Sequence, residues 1–194
     1  MRPIIVASLF AFVYASFSFN ALAADSYQVD TDVSSVSFST IKKQYIVEPA
    51  VITGLSGSLD ENGKLSVSIP IKNIDTGVSI RNDRLGELFF NIATYPDVDV
   101  SAEVPMELME GDTVITQATI PASVTMYGKT QTLEFSLNIV RVGDVLSVSS
   151  IKPVIVDGTL FGIPAESLTA LSSTVGAIPI SSSVAANVSL ILKK

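Results

Sequence analysis

The sequence predicts an all-β protein, an antiparallel barrel of about eight strands with one or two short helices. Three observations predict it. Branched apolar residues alternate with Ser, Thr and Asp along most of the chain, the period of a strand with one buried face. Gly, Asn and Asp interrupt the alternation at short intervals, where tight turns need residues that accept positive φ. The runs between these interruptions number about eight, enough to close a barrel around its own side chains or around one slender ligand.

Residues 1–23 read as a signal peptide. Met1-Arg2 gives a basic start, Ile4 to Phe17 is mostly apolar, and Ala21-Leu22-Ala23 supplies small residues at a cleavage point. The apolar run is shorter than the roughly 20 residues of a spanning helix, so no membrane span is expected after cleavage. Residues 24–194 are then one exported domain, periplasmic or secreted. With Cys 0 it has no disulfides and rests on its core alone.

Val36 to Ser39 opens the alternation, and Val51, Thr53, Leu55, Gly57 and Leu59 share one face of a second strand. Asp60-Glu61-Asn62-Gly63-Lys64 is a hairpin turn, because Asn-Gly accepts the required backbone angles. Leu65, Val67, Ile69 and Ile71 give the return strand its apolar face, with Pro70 marking an edge or bulge. Val98 to Val104 alternates again, and a Gly111-Asp112 turn leads into Val114 to Met126. Tyr127-Gly128-Lys129 turns the chain into Thr132 to Val140, and Gly143-Asp144 turns it into Val145 to Val156. The last strand carries Val184, Ala186, Val188, Leu190 and Leu192 on one face.

Two stretches break the period. Between Ile80 and Phe90 the spacing of Leu85, Leu88 and Phe89 suits a short helix, with Asp83 and Glu87 placed to pair with Arg84 and Arg81. Pro164 to Leu171 suits a further helical turn or two.

Cys 0 and His 0 exclude the cysteine nucleophile, the Ser-His-Asp triad and the Cys/His zinc site. The Asp and Glu residues fall mostly at polar strand positions or turns, where solvated acids are the rule. No catalytic residue, metal site or cofactor is expected, and the chain reads as no enzyme. Lys+Arg 12 against Asp+Glu 19 gives a net charge of −7, which repels nucleic-acid phosphate and anionic membrane surface. Hydrophobic residues at 47% against charged residues at 16% require a large apolar interior or an apolar surface that needs a partner.

The most polar stretch, Ile74 to Leu85, has two readings. It is a loop turned by Gly77, capped by a side-chain oxygen and fixed by ion pairs, or it is the rim of a cavity. Phe89-Phe90 and Tyr95-Pro96 would then plug one barrel end, as core or as ligand contacts.

The order of motifs resembles the YceI-like family of secreted proteins. The likeness runs from Tyr27-Gln28-Val29-Asp30 and Ser35 to Ser39 through Gly54-Leu55-Ser56-Gly57 and Ile74-Asp75-Thr76-Gly77. It continues in Arg81-Asn82-Asp83-Arg84-Leu85, Phe89-Phe90-Asn91 and Tyr95-Pro96, then in Ser123 to Thr130 and Phe161-Gly162. Arg84 stands where members of that family commonly carry His in the loop. The resemblance implies a lipocalin-like barrel that holds a polyisoprenoid, a quinone tail or another long-chain lipid inside, for transport, storage or sequestration.

Alternation assigns Phe38, Leu55, Val67, Leu88, Phe89, Phe90, Val100, Met126, Phe135 and Phe161 to apolar faces as candidate ligand-lining residues, with Arg81 and Arg84 at the rim. It does not separate a cavity wall from a filled core. The candidate partners are a polyisoprenoid or other long-chain lipid and, as a homodimer, a second copy of the chain. Three other classes stay open: a packed barrel or sandwich with a structural or adhesion role, an outer-membrane barrel, and an enzyme that would have to work through carboxylates, Ser, Tyr127 or Lys129. Trp 0 and an aromatic fraction of 7% leave little for the aromatic girdles of an outer-membrane barrel, and Lys193-Lys194 reads as protection of an edge strand against pairing.

Overall fold

The structure, a computed structural model, describes residues 26–111 and 113–194. The signal peptide expected over residues 1–23 and the Asp112 half of the Gly111-Asp112 turn lie outside the described residues.

In chain order the strands are β1 (Tyr27–Val29), β2 (Ser35–Lys42), β3 (Ile46–Thr53), β4 (Ser56–Leu59), β5 (Lys64–Pro70), β6 (Ile74–Asp75), β7 (Asp97–Glu103), β8 (Thr113–Met126) and β9 (Lys129–Val142). Next come β10 (Val145–Ser150), β11 (Val154–Asp157) and β12 (Ser183–Lys193). Helix α1 (Ser79–Arg84) runs into a π-helical turn, Leu85–Phe90, and α2 (Ala165–Ser173) stands between β11 and β12.

These segments make eight antiparallel strand lines, because four lines are broken in mid-course. Along one side of β12, Gln28 and Val29 of β1 face Lys193 and Leu192, and Ser35 to Ser39 of β2 face Ser189 to Ala185. Likewise β4 follows β3 against β1 and β2, β6 follows β5 against β3 and β4, and β11 follows β10 along the other side of β12. Local residues account for the breaks. Gly54 at φ +75 separates β3 from β4, a backbone angle that disfavours side-chain-bearing residues. Pro70, with no N–H to donate, ends β5 before a 3-10 turn at Ile71–Asn73, and Pro153 lies between β10 and β11.

The order β1-β4-β5-β7-β8-β9-β10-β12, with β12 returning to β1, closes the barrel. Since β12 is paired on both sides, Lys193-Lys194 does not guard an edge. Instead the Lys193 ammonium lies 2.5 Å from the Asp30 carboxylate and Lys194 sits over the Tyr27 ring. The longest pairing is the hairpin of β8 and β9, fourteen cross-strand partners from Thr113↔Val142 to Met126↔Lys129. Its two-residue turn, Tyr127-Gly128, has both φ values positive at 53 and 75, the twist-matched geometry of a tight hairpin.

Apolar side chains point inward and Ser, Thr, Asp, Glu and Lys outward, the reverse of a membrane-spanning barrel. No helix among the described residues is long and apolar enough to cross a membrane. Where β1 meets β4 and β12 the interior is tightly closed: Tyr27 is 2% exposed, Leu59 1% and Leu192 0%. We call this the closed end. The other end carries α1, the π turn, α2 and the β2–β3 hairpin.

Candidate functional site

The inward faces do not fill the barrel. Phe38, Phe89, Phe90, Val98, Val100, Phe135, Val148 and Val188 pack against the buried core yet keep accessible surface, because they face a cavity of 240 Å³. Alternation makes it long. Val184, Ala186, Val188, Leu190 and Leu192 of β12 all line it, and eight residue steps at about 3.3 Å each give roughly 26 Å. No charged side chain lines this slot, and its polar groups (Thr40, Ser181, Ser182, Asn187) lie on β2, on the approach to β12 and in the first half of β12, away from the closed end.

The structure brings Phe38, Leu55, Val67, Phe89, Phe90, Val100, Met126 and Phe135 together in the lining of the slot. Leu88 and Phe161 stand outside it. Leu88 is displaced by the π turn: bonds from i to i+5 put residues five apart on the same side. Leu85 and Phe90 therefore share the inward side with Phe89, and Leu88, which α-helical spacing groups with Leu85, does not. The Phe89 and Phe90 rings meet edge to face, 4.9 Å apart at 83°. Phe161, 1% exposed, packs with Val124, Met126 and Ile163 in a separate cluster. Tyr95 plugs nothing. Its ring lies 4.4 Å from that of Tyr127 outside the slot.

Sequence reasoning missed Leu85, Leu168, Leu171 and Ile180, which close the helical end of the slot. Leu168 and Leu171 carry an i, i+3 signal within α2; Ile180 carries none. It is placed by backbone pairing of the segment after α2 with β2, where Lys43 N donates to Pro179 O at 2.9 Å and Ser181 N to Ile41 O at 2.9 Å.

A second cavity, of 390 Å³, lies beneath α2 and shares Phe89, Gly158, Leu168, Ile180 and Ser182 with the first. It adjoins the slot through these shared residues, and we call it the vestibule. Thr159, Thr169, Ser172 and Ser182 give it hydroxyls, and no charged side chain lines it.

The two rim arginines are engaged elsewhere. Arg81 Nη2 lies 2.9 Å from Glu48 Oε1, which Lys42 also contacts, so the nearby acids Asp83 and Glu87 are not the partners used. Arg84 Nη1 donates to the Thr174 carbonyl at 3.4 Å, at the C-terminal end of α2. Neither lines either cavity. Nor does a side-chain oxygen cap α1, which starts after Val78. Asn82 Oδ1 instead accepts from the Thr76 hydroxyl at 2.6 Å and from Thr76 N at 3.0 Å, and Asp75 Oδ1 accepts from Gly77 N at 2.8 Å.

Among the titratable groups, the Asp30 carboxyl is held below its ordinary value by the Lys193 ammonium and the Asp32 N–H. That of Asp157, beside the vestibule, is lowered by the N–H and hydroxyl of Thr159. Among the described residues no cluster of acidic side chains could hold a metal.

The YceI-like domain model matches residues 27–192. The polyisoprenoid-binding domain from Saccharophagus degradans, implicated in plant cell wall breakdown, superposes with a TM-score of 0.80 at 20% identity, over 86% of this chain and 97% of that one. Burkholderia cenocepacia BcnA superposes with a TM-score of 0.63 at 16% identity, over 84% of this chain and 98% of that one. At these identities the likeness is one of fold. No curated protein matches the chain.

Proposed function

Because the chain belongs to the YceI-like family, we propose that it is a binding protein, not an enzyme, that holds a long apolar molecule in its barrel. The ligand class is a polyisoprenoid, a quinone tail or a fatty-acid derivative. It is carried, stored or sequestered in the periplasm or outside the cell. The observation that carries this reading is the slot: inward Phe38, Phe89, Phe90, Val100 and Phe135 line a charge-free cavity instead of filling it. Each methylene-sized group buried there contributes about 0.8 kcal/mol, so an extended chain binds tightly without a hydrogen bond. The vestibule offers only hydroxyls to whatever part of the ligand emerges. The polyisoprenoid-binding description of the Saccharophagus domain supports the same class.

The experiment is native mass spectrometry of protein purified without detergent, followed by organic extraction of what it carries. A stoichiometric isoprenoid or acyl chain supports the carrier reading and names the ligand. Protein that carries nothing, and takes up neither quinones nor fatty amides, overturns it in favour of a packed structural barrel.

A further inference from the structure

At the closed end the apolar interior contains one cation. Arg141 is the inward residue of β9 that follows Leu137 and Ile139, and it is 7% exposed. Its cross-strand partners are Leu146 and Val114. Its Nη1 donates to the Met109 carbonyl, and among the described residues its Nε, which is buried, has no partner and its guanidinium forms no ion pair. A buried guanidinium with neither counter-ion nor full hydrogen bonding is costly, and a fold normally supplies a carboxylate for it. Among the described residues the acids near this end, Glu103, Glu107, Glu110 and Asp144, are exposed to solvent. A second orphan donor, the Tyr27 hydroxyl, is buried at the same end.

Ile139, Leu146 and Met109, the neighbours of Arg141 in the chain, the sheet and its hydrogen bond, all line the floor of the slot, while Arg141 itself is not among the lining residues. We propose that Arg141 is an anion site at this floor, which takes the carboxylate of a long-chain fatty acid bound head-inward, its tail running toward the charge-free vestibule. This rests on the binding reading above and narrows it to an acid-headed ligand. Arg suits the task because its donors are fixed in a planar fork that matches a carboxylate and its charge does not titrate. Desolvation strengthens the pairing, and the ligand supplies the counter-ion that no described residue provides.

The test compares palmitic acid with 1-hexadecanol, which share a chain and differ in the head, on lipid-stripped full chain near neutral pH. The variants are Arg141→Met and Arg141→Lys. Wild-type protein is expected to hold the acid at least ten-fold more tightly than the alcohol. Arg141→Met should lose that preference while keeping its affinity for the alcohol, and Arg141→Lys should retain part of it. In wild-type protein the 13C signal of carboxyl-labelled palmitate should not titrate between pH 5 and 8, a readout that needs no variant.

Equal binding of acid and alcohol by wild-type protein overturns the anion site but not the slot. So does a preference that survives in Arg141→Met, which would leave Arg141 only a structural tie to the Met109 carbonyl. Binding of neither molecule overturns the slot and the anion site together.

Discussion

The Arg81 guanidinium and the Glu48 carboxylate, 2.9 Å apart, tie the helix that leads into Phe89-Phe90 to the β2–β3 hairpin. Lys42 shares the same carboxylate, so one acidic side chain, 18% exposed, holds two cations at the helical end of the barrel. Glu48→Gln is expected to lower stability by about 1 kcal/mol, since partly exposed pairs contribute roughly 0.2–1 kcal/mol each. That corresponds to about 2–4 °C in Tm for a domain of this size. Thermal melts should show the gap between wild type and variant narrowing in 1 M salt, where such pairs are screened.

Filling the slot should remove binding without removing the fold. Val100 faces the cavity from the middle of β7, so Val100→Trp places an indole where the ligand would lie. The expected result is loss of lipid retention in native mass spectrometry, with Tm within a few degrees of wild type. Retention by a folded Val100→Trp protein would place the ligand elsewhere. Phe135→Asp, which puts an unpaired charge on the same wall, should abolish retention or the fold itself, because burying such a charge is costly.

Arg84→Ala should act on exchange. Its contact with the Thr174 carbonyl fastens the end of α2, which roofs the vestibule. Removing one long hydrogen bond should cost no more than about 1 kcal/mol, while loosened α2 lets ligand leave faster. Stopped-flow transfer of a fluorescent fatty acid to acceptor vesicles measures this. An unchanged release rate would show that α2 does not gate the slot.

Acid should weaken the fold through Asp30 and Asp157. Both carboxyls are lowered in the folded state, Asp30 by Lys193 and the Asp32 N–H, Asp157 by Thr159. The folded state therefore binds protons less readily than the unfolded chain. The stability they give is fully present above the unfolded value, at about pH 4, and is lost as pH falls through the folded values. Chemical denaturation at pH 6 and pH 3 should show a smaller loss for the Asp30→Asn, Asp157→Asn double variant than for wild type.

The alternation made the inward faces legible, since a period of two leaves Val184 to Leu192 one way to face the core. Asn62-Gly63 and Tyr127-Gly128 marked their turns for the same local reason. What alternation does not carry is volume. It gives Phe135 a side, but whether that side meets another side chain or a cavity depends on seven other strand lines. The π turn was hidden because Leu85, Leu88 and Phe89 satisfy α-helical spacing. Arg81 found its partner on β3, far along the chain, where i, i+4 arithmetic does not reach. Arg141 was passed over because it falls at the end of a strand, where a charged residue ordinarily reaches solvent.

The ladder between β1 and β12 joins Gln28 and Val29 to Lys193 and Leu192, the first strand of the described chain to the last. Every other seam joins strands nearer to one another in the chain, whereas this one carries the loop-closure entropy of nearly the whole domain. The β8–β9 hairpin can form while later residues are still being synthesised, but the circle cannot. Until Ser183–Lys193 is available the chain remains an open ribbon with two unpaired margins. Barrel formation is thus deferred until β12 has been made, and deletion of those eleven residues should leave a species that aggregates instead of a smaller barrel.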